Sequence, residues 1–531
     1  MSQTPIPRHT VVARNGVGYR HYRIPALAAV GDVLLLAFDG RPELDDLPAP
    51  IDLLLRRSTD GGATWEPTQV VRTGTGLEGF GDPSLLTDPV TGRVLLFHAA
   101  GVRAGFFESG DGEDEADPDL QHTDLSISDD AGLTWTHRRL TAQLRASGNA
   151  HLHGERISGL FVTSGAGCAI TEGRFAGRLV QPCVLRIGDR IDVACALSDD
   201  HGETWRLAAP LGAELNESSV TMLPGGDLLL HSRGNPHRIA FTSVDGGETF
   251  GPGAPVEGLL DPSVNGSVLA VGGALFASHC ADEDLRRNAV VSRSDDGGVT
   301  WHVVRYLEPG SAAYTQLAAL PGGRLGVAYE ADGYREIRFE AFDPDQKSEP
   351  RPDVAGRRVG SGWVRHADPS GLVLDVVLRG VVAARPDSWE ESGPTHAIDL
   401  SRFEGVSSRV FKEIGQDRDA EPTQVLRTRE SLDRNLGPVS PDLQPGDRLE
   451  LDARVTNHGT AVCTVTWDGQ ERSLAPGQSW VRRDLSHHVT ADEVEAGRYS
   501  VAVTVTHRAT GADRAEALSV VWSDEVHPTT A

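Results

Sequence analysis

The chain of 531 residues is too long for one ordinary core, since single domains usually run to roughly 100–200 residues, so a large domain and at least one smaller one are expected. Its 50 basic against 76 acidic groups leave a formal charge of −26, which argues against a partner held mainly through phosphates, because such binding needs clustered Lys and Arg; nucleic acid is not an expected ligand. An anionic ligand enters against that field, so positive charge that binds it must be concentrated in a pocket, and the placement of individual arginines becomes informative.

The amino terminus, MSQTPIPRHTVVARNG, has no basic stretch followed by an apolar core of leader length, and no later segment approaches the run of about 18 apolar residues that a spanning helix needs. The expectation is a soluble, cytoplasmic protein without a membrane span. Strand signals then follow in chain order, most of them introduced by a glycine turn: GDVLLLAF (31–38), DLLLRR (52–57), TGRVLLFHA (91–99), IDVACAL (191–197), GGDLLLHSR (225–233), RIAFT (238–242), GGALFASH (272–279), GGRLGVAYE (322–330) and REIRFEAF (335–342).

Between them lies a repeat. STDGGATW (58–65), SDDAGLTW (128–135), SDDHGETW (198–205), SVDGGETF (243–250) and SDDGGVTW (294–301) all fit Ser-x-Asp-x-Gly-x-Thr-aromatic. The Asp carboxylate can accept backbone N–H bonds across its own turn, the Gly can supply a positive φ, and the ring can pack beneath, so each copy reads as a self-locking hairpin with no catalytic part. One unit is a small antiparallel sheet, and radial repetition of such sheets gives a propeller. Five boxes over roughly the first 340 residues fit six blades, one of them without a recognisable box.

The expected fold is therefore all-β, with a six-bladed propeller over residues 1–345. DPDQKSEPRPD then reads as a polar, proline-bearing linker. Residues 346–435 form a linker or β-rich region without a usable motif, despite the apolar run GLVLDVVLRGVVAA. Short strands at turn-spaced intervals over 436–525 suggest an immunoglobulin-like β-sandwich.

Five cysteines without a CxxC spacing, and scattered histidines such as His151, His153 and His231, give no metal site, and no cofactor is implied. The acidic stretch ESGDGEDEADPD (108–119) lacks the pattern of a calcium loop and reads as a solvated loop.

A second set of motifs falls between the boxes: YRIPAL (22–27), DGRPELDD (39–46), GFGDPS (79–84), SGAGCAI (164–170), LNESS (215–219), HSRGN (231–235), RRNAVVSRSDDGG (286–298), GSAAYTQL (310–317) and VAYEADG (327–333). In this order, over about residues 8–345, they resemble the bacterial exo-sialidases of the retaining glycoside-hydrolase group.

That resemblance implies roles residue by residue. Arg23, Arg233 and Arg286 match the trio that grips the sialic acid carboxylate, a task suited to planar guanidiniums with paired donors. Arg287 is the neighbouring alternative to Arg286, and a shift of one residue on a strand reverses the face. Glu330 matches the acid that holds the first arginine, Tyr314 the nucleophile and Glu217 its base. Asp46, preferred over the adjacent Asp45, matches the acid/base that protonates the leaving oxygen. Arg41 and Asp82 match positions lining the sugar pocket.

The implied partners are sialylated glycans or oligosaccharides. A tyrosine suits this chemistry because the anomeric carbon of sialic acid already bears a carboxylate, which would repel an approaching Asp or Glu. Transfer to a sugar acceptor, or preference for a deaminated sialic acid, would use the same residues. A non-catalytic Asp-box propeller that binds glycans is the alternative of another class, and such a module has no use for Tyr314, Glu217 and Asp46 together. The carboxy-terminal sandwich reads as a spacer or a glycan-binding module.

Overall fold

In the strand Val33–Arg41, Leu34, Leu36 and Phe38 enter one apolar core while Leu35 and Ala37 enter another, all five being buried. An apolar run on both faces of a strand requires a neighbour on each side, and stacked sheets provide it. The computed structural model describes residues 9–42, 46–212, 214–283, 286–331, 334–345, 363–367, 372–382, 448–457, 461–476, 478–496, 498–509 and 516–525.

The chain divides into two compact units: Met1–Leu307 with Ala312–Glu330 and Arg335–Glu349, and Pro350–Ala531 with Glu308–Ser311 and Ala331–Tyr334.

The first sheet runs His21–Val30, Val33–Arg41, Asp52–Ser58, Gln69–Arg72. The second is Gly79–Thr87, Val94–Gly101, His122–Ser128, Thr136–Arg139, with Gly165–Ala166 added in parallel on its inner edge. The third uses Ile157–Val162, Leu179–Ile187, Arg190–Ser198 and Arg206–Leu207, and the fourth Ser218–Met222, Leu228–Ser232, His237–Ser243 and Ala254–Leu260. A seven-stranded sheet follows in the order Thr10–Arg14, Glu336–Phe342, Leu325–Ala331, His302–Ala319, Arg287–Ser294, Ala274–Cys280, Ser267–Val271. Its 18-residue strand His302–Ala319 joins two sets of three strands, so the whole is consistent with six four-stranded blades.

Every box is a hairpin between the third and fourth strands of a blade. In the first, Asp60 Oδ1 accepts from Ser58 Oγ at 2.8 Å and from the Thr64 N–H at 2.9 Å, Asp60 Oδ2 accepts from Thr64 Oγ1 at 2.5 Å, and Ser58 Oγ accepts the Gly62 N–H at 2.9 Å. The other four copies repeat the pattern around Asp130, Asp200, Asp245 and Asp296. The box aromatics Trp65, Trp135, Trp205 and Phe250 each join a core shared by two sheets. The last blade lacks a box for a topological reason: its outer strand is Thr10–Arg14 from the start of the chain, so there is no hairpin to staple.

The acidic stretch 108–119 is a loop, mostly exposed or half-buried, that is anchored on one side. Buried Arg145, on the helix Thr141–Asn149, donates to the carbonyls of Gly110, Gly112 and Gln121 and to Ser109 Oγ, gathering the loop around one guanidinium.

In the second unit two four-stranded sheets face each other: Trp363–Ala367, Leu372–Val382, Arg448–Asn457, Ser479–His488, and Gln470–Leu474, Cys463–Trp467, Arg498–Ala509, Glu516–Glu525. Leu374, Val376, Leu451 and Trp480 of one meet Val465, Trp467, Val503 and Val505 of the other, which makes a β-sandwich. Two of its strands come from the stretch 346–435, so the sandwich starts well before residue 436. Residues 383–447 lie outside the described residues.

Candidate active site

The boxes cap the end of each third strand, so the start of a first strand, the end of a second and the start of a third lie at the opposite end of the blade. Arg23 and Asp82 sit near the start of inner strands, Arg41, Arg233 and Glu330 near the end of second strands, Glu217 just before an inner strand and Arg286 just before a third. Strand polarity alone therefore delivers these residues to one face.

Arg23 and Glu330 are both buried, with Arg23 Nε donating to Glu330 Oε1 at 2.8 Å. The same oxygen accepts the Ile24 N–H at 2.8 Å, and Glu330 Oε2 accepts the Tyr314 N–H at 3.1 Å. One carboxylate thus fixes both an arginine and the backbone of the tyrosine. Ile24 has φ +60, an outlier for a β-branched residue, inside a register shift between Arg23 and Ala26. Asp82 repeats the device on the next inner strand, with φ +56 inside a shift between Gly81 and Ser84. Strained backbone of this kind persists where surrounding contacts over-determine it, as at functional sites.

Tyr314 donates its hydroxyl to Glu217 Oε2 at 2.5 Å. Arg233 Nη1 bonds the same carboxylate oxygen and lies 3.3 Å from the Tyr314 hydroxyl. The Arg23 guanidinium carbon lies 5.5 Å from the centre of the Tyr314 ring. Burial and the Glu217 carboxylate raise the Tyr314 pKa well above 10, against the pull of Arg233, Arg286 and Arg23.

Arg286 is buried and donates to the Ser263 carbonyl at 3.3 Å, whereas Arg287 is committed elsewhere, its Nε donating to buried Asp282 at 2.6 Å. Behind the arginines a fully buried pair, Arg238 and Asp261, 2.8 Å apart, orders the loop that carries Ser263: Arg238 reaches the Val264 and Gly266 carbonyls and Asp261 Oδ1 accepts the Val264 N–H. Sequence reasoning passed over Arg238 and Asp261.

The third group surrounds Arg41, which is fully buried. Its Nε and Nη2 both donate to Asp39 Oδ2, at 2.9 and 2.7 Å, and its Nη1 reaches Asp46 Oδ1 at 2.8 Å. The Asp46 side chain is 79% exposed, the most open of the nine residues. Burial pushes the Asp39 carboxyl up to about 6, and burial together with Asp39 and Asp46 lifts Asp82 well above the carboxylate range. Glu217 also acts on Asp82, which ties this group to the one around Tyr314.

The nine expected residues therefore lie together on this face, with Asp39, Arg238 and Asp261 packed against them. Asp45, the neighbour of Asp46, lies outside the described residues. Among the described residues no three His, Cys, Asp or Glu side chains group as a metal site, and no helix is long and apolar enough to cross a membrane.

Residues 43–327, more than half of the chain, match the BNR repeat-like domain, a span that holds all five boxes. The chain belongs to this BNR repeat-like family. Two curated proteins similar to this BNR chain are the sialidase of Micromonospora viridifaciens, 38% identical over 63% of this chain and 54% of its own length, and that of Bacteroides fragilis, 29% identical over 60% and 63%. The chain thus spans about half to two thirds of the length of these two relatives. Among solved structures it resembles a Hadza microbial sialidase, 28% identical, with a TM-score of 0.57 over 63% of this chain and 68% of that one. A leech intramolecular trans-sialidase, 18% identical, shares the fold with a TM-score of 0.53 over 64% and 70%.

Proposed function

We propose that this BNR-family chain is an exo-sialidase that removes terminal α-linked sialic acid, or a related nonulosonic acid, from glycans, with retention through a tyrosyl-glycosyl intermediate. The 2.5 Å hydrogen bond from Tyr314 to Glu217, flanked by Arg233, carries this reading, because it joins a nucleophile to its base beside a cluster of guanidiniums. The sialidases it resembles in sequence and structure add support.

In the proposed reaction Arg23, Arg233 and Arg286 hold the substrate carboxylate and present the anomeric carbon to Tyr314. Asp46 gives its proton to the glycosidic oxygen as that bond breaks. Glu217 takes the phenolic proton while the Tyr314 oxygen bonds to the anomeric carbon. In the second half Asp46 takes a proton from water, the water oxygen attacks the same carbon, and the tyrosyl bond breaks as Glu217 returns the proton. None of these steps calls on a metal or organic cofactor.

The test is release of 4-methylumbelliferone from its α-N-acetylneuraminic acid glycoside, with the first-formed anomer followed by proton NMR. Turnover with the α-anomer appearing first supports hydrolysis with retention. A product bearing the sugar acceptor or an anhydro bond moves the reading to a transferase, and binding without turnover moves it to a glycan-binding propeller.

A further inference from the structure

Asp39 is fully buried at the end of the strand Val33–Arg41, two residues from Arg41 and so on the same face. A carboxylate there needs partners, and Asp39 has three: Arg41 Nε at 2.9 Å, Arg41 Nη2 at 2.7 Å, and the Asp82 N–H at 3.1 Å. The guanidinium is planar, so fixing two of its nitrogens fixes the direction of the third, and that nitrogen, Nη1, holds Asp46 Oδ1 at 2.8 Å. The backbone after Asp46 is clamped separately. Leu47 is buried in a small socket with Ile51 and Ala99, and a Cβ at Gly79 or Gly105 would stand 1.9 Å from the carbonyl of Ala49 or Leu47. What remains to be set is the aim of the exposed Asp46 carboxylate, and the bond from Arg41 sets it.

We infer that Asp39 is a positioning residue for the acid/base step: it orients Arg41, and through Arg41 it aims the Asp46 carboxyl at the leaving oxygen, while its other oxygen holds the strained backbone of Asp82. The inference rests on the sialidase reading and extends it to a residue that touches no substrate.

An effect through the acid has a signature that general loss of structure lacks. Protonation matters most when the leaving group is a poor one, so a misaimed acid harms a sugar alcohol far more than a phenol. The test compares kcat/KM, which reports the steps up to glycosidic cleavage, for 3′-sialyllactose and for the 4-methylumbelliferyl glycoside. Asp39→Asn, of nearly equal volume, is expected to lose about 100-fold on the lactoside and less than about 5-fold on the phenolic substrate. Placed on Asp46→Asn, it is expected to add no further discrimination between the two.

If Asp39→Asn does not fold, Asp39→Glu keeps the charge while displacing it and is expected to show the same inequality on a smaller scale. Equal losses on the two substrates, or no loss on either, overturn the inference. Absence of turnover of both substrates by the parent overturns the sialidase reading, and the inference with it.

Discussion

Burial and the neighbouring Glu217 keep the Tyr314 phenol protonated far above neutral pH, so its proton leaves only as Glu217 receives it. Activity is therefore not expected to climb with phenol ionisation on the alkaline side. Tyr314→Phe and Glu217→Gln are each expected to lower kcat by at least about 100-fold, and the double variant to be little worse than Tyr314→Phe alone, because a nucleophile and its base act as one unit. Steady-state kinetics on the methylumbelliferyl glycoside measure both. Arg23→Lys keeps a charge but gives up the fork that Glu330 aligns, and about a 10- to 100-fold rise in KM is expected from the loss of one charge-assisted contact. At this scale the sequence was most informative where a residue stands in an ordered motif. It was silent on Asp39, which stands at the head of the DGRPELDD motif but matches none of the roles that the resemblance implies. In the fold Gly40 lies within a strand and admits Tyr19 and Leu54, whose atoms stand 2.8 and 2.6 Å from where its Cβ would be.

The boxes were legible because their chemistry is local: donor, acceptor and glycine fall within eight positions of one another. Their aspartates also make a pH prediction. Hydrogen bonds from Thr and Ser hold Asp60, Asp130 and Asp296 down to about 2 from a usual 3.8. The folded state thus binds fewer protons than the unfolded state between these values, so the stabilisation is complete above about pH 4 and is lost as pH falls towards 2. Urea unfolding at stepped pH is expected to show this loss, and Asp60→Asn to flatten it.

Neighbouring glycines separate backbone strain from packing. Gly61 and Gly62 both have positive φ, but a Cβ at Gly61 meets only Arg324 Nη1 at 4.0 Å, whereas one at Gly62 lands 2.0 Å from the Phe339 ring. Gly61→Ala is expected to cost about 1–2 kcal/mol and Gly62→Ala about 2–5 kcal/mol, read from urea midpoints. The strand Leu372–Val382 escaped assignment for the opposite reason. It pairs on one side with the preceding strand Trp363–Ala367, but on the other with Arg448–Asn457, which lies far along the chain.

The count of six blades came from five boxes and the length left over, but the way the ring closes had no sequence signal. Thr10–Arg14 pairs with Glu336–Phe342, and Arg14 Nε donates to Glu336 Oε1 at 2.9 Å across 322 positions of sequence. Val12 adds to a core that holds Leu34, Leu54, Ala328 and Phe339. Removing the first 14 residues is expected to lower the melting temperature of the propeller and to abolish turnover with it, since Arg23 and Glu330 belong to the blades that this strand joins. Calorimetry and the methylumbelliferyl assay together check this.

The closing strand also orders events on the ribosome. Residues 10–14 are synthesised before the rest of the propeller, yet their partner follows only after nearly all of it has emerged. Until then the first sheet waits beside an open gap, with apolar side chains such as Leu34 and Leu36 unmatched on that side. Long-range strand pairing is slow, and uncovered edges are where nascent chains stick to one another. Growth at low temperature, or a surplus of holding chaperones, should therefore raise soluble yield more than any substitution around Tyr314.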